Sequence, residues 1–504
     1  MTFKKLNLLI FITMFVYTGI FNTNKAFANL TIENKGTSNP VLLYNGNPFF
    51  GVGSVEEIFL FAFPWTSSES AVSGYYMNHE QWKDWMVANK MKFVRAYPES
   101  GFAWCERGAS SDKVYPWTVN HWSAGKPVVD LTQLNTAYWT EFENTIQKLK
   151  DNGIVLVLQL YQYCYMSYGN VFDMSYFNPN NNINDWAINR TDFFDRIISD
   201  YNGSKTTWWP MHRNYVRKIL DSIGNKGNVL IDLSNEGATP SYYSYEWVEK
   251  TIDIIEEWEN ENGIDILIGM DEHFWFRVPG MTTWVRDHSR LEVLTGHGKT
   301  DVMHEAGYDS SMGYSPHDIG KLRMDYHKPA VSIHNGSGVT TKEADWQKHY
   351  QWLALMQKCQ GAASYGYGTW LEDSAQRKKF EQQTGYLLGF FNTLMDYTSL
   401  IVSNEKIVSA PGYSKYKYLL SSSQEAVFYT HNYGYGTTTS AGQILSLENL
   451  NFTDGNVNIT FLHPENGSTS SSTGTVSGGS ITITLPSFYE DITVYMSQAK
   501  LTPP

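Results

Sequence analysis

The sequence predicts a (β/α)8 TIM barrel followed by a small antiparallel β-sandwich. Three observations lead there. From about residue 45 to 375, short apolar runs alternate with amphipathic helical segments, the signature of repeated βα units. The apolar runs number eight, the strand count that closes a parallel barrel. Beyond about residue 400 the pattern changes to apolar–polar alternation, which marks antiparallel strands with one face in a core.

Taken in order, residues 1–28 read as an export leader. Lys4 and Lys5 give a basic start, residues 8–21 are apolar, and Ala26-Phe27-Ala28 is a small-x-small cleavage site. The apolar stretch is too short to span a bilayer comfortably. No Cys follows the cleavage site to carry a lipid. The expectation is a soluble, secreted or periplasmic protein, with the barrel over 29–400 and the sandwich over 401–504. Barrel strands are predicted at 48–52, 92–97, 154–160, 229–233, 264–270, 291–295, 330–333 and 362–365. Helical segments between them include 135–150, 213–222, 244–260 and 345–358. The clearest junction is at Gly153, which ends a helix just before the run Ile154-Val-Leu-Val-Leu.

The segment after strand three is long, about 161–210, and carries Tyr161, Tyr163, Tyr165, Tyr168, Phe172, Tyr176, Phe177 and Trp186. A loop of that length inside a compact domain is usually functional. Its aromatics either stack on sugar rings or fill a private core under the loop. In the C-terminal part, strands are predicted at 457–462, 480–485 and 492–496, with a Ser/Gly/Thr-rich hairpin at 467–480. This domain reads as a packed accessory unit in preference to a carbohydrate-binding one.

Composition narrows the classes of function. The formal net charge is −13, and loss of Lys4, Lys5 and Lys25 with the leader takes it three units lower, to −16. An acidic chain without basic clusters does not bind nucleic acid or an anionic membrane. Cys105, Cys164 and Cys359 are too few and too scattered for a disulfide framework. They read as buried thiols, with one pair permitted. The sequence leaves the oligomeric state open.

In a (β/α)8 barrel the active site lies at the C-terminal strand ends, and that rule selects the candidates. Strand two ends at Arg95-Ala96-Tyr97, and strand four at Ser234-Asn235-Glu236-Gly237. Strand five ends at Asp271-Glu272-His273, strand six at Gly296-His297, strand seven at His334-Asn335, and strand eight near Tyr367 and Trp370. Glu236, an ionisable group closing an apolar strand, is the candidate general acid, and Asn235 the amide that meets a ligand hydroxyl. The plainer alternative is an ordinary helix N-terminus, where Asn and Glu are both favoured.

With Arg95, Asn235-Glu236, the aromatic at Trp370 and the terminal sandwich together, the chain resembles the clan A glycoside hydrolases. The likeness is to family 5 cellulase-like enzymes and apiosidase-type barrels that carry a C-terminal β-sandwich. Further supporting stretches run from Val129 to Trp139, from His212 to Arg217 and from Gly361 to Gly368. The resemblance implies a secreted enzyme that cleaves O-glycosidic bonds of a poly- or oligosaccharide, with Glu236 as general acid/base. In one respect the chain departs from the pattern. Clan members carry the nucleophilic Glu at the end of strand seven, where this sequence reads Ser332-Ile333-His334-Asn335.

Glycoside hydrolysis needs a second carboxyl group, about 5–5.5 Å from the first for retention and about 6.5–9.5 Å for inversion. Glu272, at the end of the neighbouring strand, is the leading candidate, followed by Asp271, Glu305 and Glu372. Substrate contacts are expected from Arg95, Asn235, His273, His297, His334, Asn335, Tyr367 and Trp370. A metal centre built from the histidines is the rival idea. It lacks both a His-x-His pair after strand one, where Gly51 to Glu57 contains no His, and a His-Glu-x-x-His spacing. No metal and no cofactor are expected. The alternatives to a hydrolase are a non-catalytic carbohydrate-binding relative, and a barrel with a His- or metal-assisted mechanism.

Overall fold

The computed structural model describes residues 30–55, 60–61, 63, 79–98, 113–161, 172–184, 186, 193–234, 245–271, 281–297, 323, 326–333, 343–365, 374–412, 417–432 and 437–498. Eight parallel strands close into a barrel in chain order. Strands one to eight are Gly51–Val55, Phe93–Ala96, Val155–Gln159, Val229–Asp232, Ile268–Asp271, Val293–His297, Ala330–Ile333 and Gly361–Tyr365. All eight were legible as apolar runs, with ends displaced by up to four residues. The largest single displacement is at the start of strand five, and the first strand is shifted by three residues at both ends. Asn47–Pro48 belongs instead to a small antiparallel sheet with Leu30–Glu33 and Val41–Tyr44.

That sheet explains how the N-terminal end of the barrel is closed. Leu30, Leu42 and Phe49 pack in one cluster with Phe93, Val155, Val157, Leu230, Val293 and Val331. The alternate residues of the same strands, among them Val94, Leu156, Ile231 and Leu294, belong to the larger cluster that includes the helices. Period two therefore sorts each strand into lumen and outer positions. Strands one and two approach so closely that a Cβ on Gly53 would overlap the Phe93 carbonyl, which fixes glycine there.

The crossover helices bury one face against the strands. Thr136–Asp151 is capped by the Asn135 side chain, which accepts from Ala137 N at 3.1 Å, and it buries Trp139, Phe142 and Ile146. Trp208–Ile223 and Tyr245–Asn262 follow strands three and four. Between strand two and its helix stands a hairpin, Trp117–Ser123 with Lys126–Leu134, turning through positive φ at Ala124 and Gly125.

The C-terminal part is a β-sandwich. A six-stranded sheet and a three-stranded sheet, the latter of Ile407–Ser409, Ile444–Leu447 and Ile481–Thr484, enclose Leu419, Phe428, Leu445, Ile459, Ile483 and Val494. The segment expected as a hairpin contains a full strand, Thr469–Val476, paired with Gly455–Leu462. It lies at the edge of the six-stranded sheet, and seven of its eight positions lie outside the core, so its serines carry no apolar pattern.

The larger sheet is also buried on its other face. Tyr418, Leu420, Val427 and Tyr429 pack in the barrel-side cluster. There Trp352 of helix Glu343–Met356 stacks on Tyr429, with ring centroids 5.5 Å apart and planes at 4°. Beside it Lys348, fully buried, donates to Asp491 Oδ1 and Glu465 Oε2, both at 3.1 Å. Tyr429 Oη donates to Asp491 Oδ2 at 3.1 Å and meets His349 Nδ1 at 2.9 Å. Charges this deep persist only when paired and hydrogen-bonded. The sandwich is fastened to the barrel through its sheet face.

Candidate active site

Toward the C-terminal mouth the lumen becomes polar. Arg95 on strand two, Gln159 on strand three, Asp232 on strand four and Thr295 on strand six are all fully buried. Asp232 Oδ2 accepts from Gln159 Nε2 at 3.2 Å and from Thr295 Oγ1 at 3.1 Å. The four continue the lumen positions marked by Phe93, Val157, Leu230 and Val293. An apolar floor thus gives way within one layer to a layer of hydrogen-bonding groups. Such a layer costs folding free energy unless satisfied, and it supplies a fixed polar base for the residues above it.

Strand four carries that layer upward. Leu160 N donates to Asp232 O at 2.9 Å and Leu233 N to Gly269 O at 3.3 Å, so pairing persists to Asp232 on the strand-three flank and to Leu233 on the strand-five flank. Ser234 is buried and its hydroxyl donates to Tyr161 O at 3.3 Å. Asn235 and Glu236 follow directly and lie outside the described residues, as do Glu272, His273, Glu305, His334, Asn335, Tyr367, Trp370 and Glu372. Asp271 closes strand five opposite Thr295, and His297 closes strand six opposite Ile333. Of the expected site, the described residues place Arg95 in the lumen and put Asp271 and His297 at the mouth.

Gln159, Asp232 and Thr295 were not singled out from the sequence. The signal was present, since Leu158-Gln159-Leu160 and Ile231-Asp232-Leu233 each set a polar group inside an apolar strand.

The aromatic segment after strand three resolves in favour of a private core for the residues described. Tyr161, Phe172, Tyr176 and Phe177 are buried. Tyr176 meets Trp117 of the hairpin at 5.3 Å, and Trp117 stacks on Tyr215 at 5.6 Å. Tyr161 Oη meets His212 Nδ1 at 2.8 Å, and His212 Nε2 meets Thr251 Oγ1 at 3.1 Å. Burial pushes the His212 imidazole down to about 3, so it remains neutral and structural. Tyr163, Tyr165 and Tyr168 lie outside the described residues.

Two other features lie away from the mouth. A cavity of about 440 Å³, bordered by Lys35, Glu292 and Lys328, sits at the N-terminal end of strands six and seven. Among the described residues, Asp345, Glu465 and Glu490 bring carboxylate oxygens within 4.8 Å of one another. Lys348 and Lys379 already occupy that cluster, reaching Glu465 at 3.1 and 2.9 Å. Cys359 is a buried thiol pushed up to about 12 by its burial, as expected for a packing residue.

Comparison with known proteins bears on the fold. A glycoside hydrolase structure superposes with a TM-score of 0.60 at 12% identity, over 94% of this chain and 97% of the other. A glycoside hydrolase family 5 structure from Bacteroides vulgatus gives 0.59 at 12%, over 93% and 94%. The chain therefore has the fold of the clan A glycoside hydrolases, a (β/α)8 barrel with a terminal β-sandwich. A family model described as a domain of unknown function (DUF6298) matches residues 123–272, from the hairpin to the end of strand five. No protein of curated function matches the chain in sequence.

Proposed function

We propose that the protein is an exported glycoside hydrolase that cleaves O-glycosidic bonds of a poly- or oligosaccharide, with Glu236 as general acid/base. The observation that carries this reading is the polar lumen layer beneath the end of strand four. Leu230 and Asp232 define the lumen register of that strand, and the sequence reaches Glu236 four residues beyond Asp232. In this role Glu236 has to be protonated when the substrate binds, the form that desolvation favours for a carboxyl group. It then has a proton to give to the leaving oxygen.

The second carboxylate in this reading comes from the end of strand five, from Glu272 or its neighbour Asp271. Leu267 belongs to the lumen cluster, and strand five ends at Asp271, directly before Glu272 in the sequence. Arg95, Asn235, His273, His297, His334, Asn335, Tyr367 and Trp370 are the sugar contacts in this reading. A separation near 5 Å between the two carboxyl groups gives retention, and one near 8 Å leaves room for water and gives inversion. His334 and Asn335 at the end of strand seven favour a second reading, a carbohydrate-binding relative without turnover. Incubation with a polysaccharide panel, with released ends read by NMR, separates the two. New reducing ends that disappear in Glu236→Gln support the hydrolase. Retention of the glycan without cleavage supports the binding protein.

A further inference from the structure

The hairpin between strand two and its helix has one large apolar side chain that the fold leaves uncovered. Trp122 is 39% exposed, although its ring meets the buried Tyr115 in a T-shaped pair at 6.2 Å and 69°. Tyr115 in turn meets Tyr176 at 6.3 Å and Trp117 meets Tyr176 at 5.3 Å. The indole is thus held on an aromatic base while the residue keeps more than a third of its surface open. Ile183, also 39% exposed, lies on the segment strapped beside the same hairpin, where Ile183 N donates to Val129 O at 2.9 Å. The neighbours on the strand are hydrogen-bonding groups, with Asn120 Oδ1 meeting His121 Nδ1 at 3.0 Å.

Position adds to this. A segment between the C-terminal end of a barrel strand and its following helix lies at the mouth end of the barrel. This one packs over helix Trp208–Ile223 through Trp117 and Tyr215, the helix that leads into strand four. An exposed indole beside amide and imidazole groups suits the C–H face of a pyranose ring flanked by hydroxyls. The chain's net charge of −13 disfavours a polyanionic glycan.

We infer that Trp122 is a distal sugar-stacking platform, which extends the cleft beyond the reaction centre and makes a neutral polysaccharide chain the ligand. This deepens the hydrolase reading and rests on it for the location of the cleft. The test uses affinity electrophoresis of the full mature chain through gels containing hydroxyethylcellulose, galactomannan, arabinoxylan or polygalacturonate. Glu236→Gln serves as background so that no gel is digested. Trp122→Ala is expected to weaken retardation by the preferred neutral polymer roughly three- to tenfold. Trp122→Phe should recover part of the loss, and a free disaccharide should bind both forms equally by NMR. Melting temperatures of the variants, compared first, show that the surface change leaves the fold intact. Equal retardation of Trp122→Ala and its parent overturns the proposal, as does retardation by polygalacturonate alone or by none of the four polymers. Turnover of small aryl glycosides reports separately on the reaction centre. If Trp122→Ala alters it as much as polymer turnover, the platform is not distal and the inference fails while the hydrolase reading stands.

Discussion

Lys348→Met tests whether the sandwich is structurally welded to the barrel. Lys348 is fully buried and its ammonium lies 3.1 Å from Asp491, 3.1 Å from Glu465 and 3.5 Å from Glu490. Asp491 and Glu490 are themselves buried, so removing the cation strands negative charge that water cannot reach. Breaking one side of a buried pair costs about 3–5 kcal/mol. With a urea slope of about 3 kcal/mol per molar, the unfolding midpoint falls by roughly 1 M or more. The loss should also depend on pH. Burial pushes the Asp491 carboxyl up to about 6 even beside Lys348, and without the ammonium it rises further. A carboxyl raised above its unfolded value near 3.8 stabilises the fold fully below that value and loses the contribution as pH rises through the folded one. The deficit of the variant is therefore largest at pH 7.5 and smaller at pH 4.5. Tryptophan fluorescence in urea at both pH values measures it. A deficit below about 1 kcal/mol at pH 7.5 would refute the reasoning, because a surface pair costs no more than that. So would a deficit that is the same at both pH values.

Acid should weaken the native protein through its histidines. Burial pushes His212 and His431 down to about 3 and His349 well below its ordinary value. Their neutral forms stabilise the fold fully above pH 6.5, and this is lost as pH falls toward 3. Melting temperature should fall steadily from pH 6.5 to 4.5, and a flat profile would contradict the assignment. Among the strand-five acids, Asp271→Asn and Glu272→Gln should differ by at least tenfold in turnover, with azide restoring activity in the variant that lost the carboxylate partner. Equal, small losses in both would remove strand five from the chemistry. Secreted protein should begin at Asn29 by N-terminal sequencing, and an intact Met1 to Ala28 on a membrane-bound product would contradict export.

The barrel strands were legible because parallel strands buried on both faces have to be apolar throughout. The sequence of Val155–Gln159 shows this best, with all five residues buried. Strand ends were less legible, since the chain passes from strand to loop without a change of composition at Gly51 or at Val293. The plug of Leu30–Glu33 and Val41–Tyr44 escaped notice because strands of four residues carry too little pattern to be distinguished from loop. Thr469–Val476 escaped for the opposite reason: an exposed edge strand of serines and threonines satisfies its backbone by pairing while its side chains face water. Arg95 was legible from its place at the end of strand two. Asp232 and Gln159 were passed over because the strand-end rule looks one layer higher, whereas the polar layer begins inside the strands. The aromatic segment after strand three had an ambiguous composition. Only the packing of Tyr161, Tyr176 and Phe177 around Trp117 and Tyr215 distinguishes a core from a sugar-binding surface there.

The central claim is that Glu236 delivers a proton to a glycosidic oxygen. The most direct measurement compares Glu236→Gln with the parent on two aryl glycosides of the preferred sugar, one with an acidic phenol as leaving group and one with a weakly acidic phenol. The amide keeps the shape and loses the proton. Turnover of the weakly acidic phenol substrate should therefore fall roughly 10²–10⁴-fold, while the acidic phenol, which needs little protonation, loses far less. Equal losses on the two substrates, or no loss on either, would contradict the account.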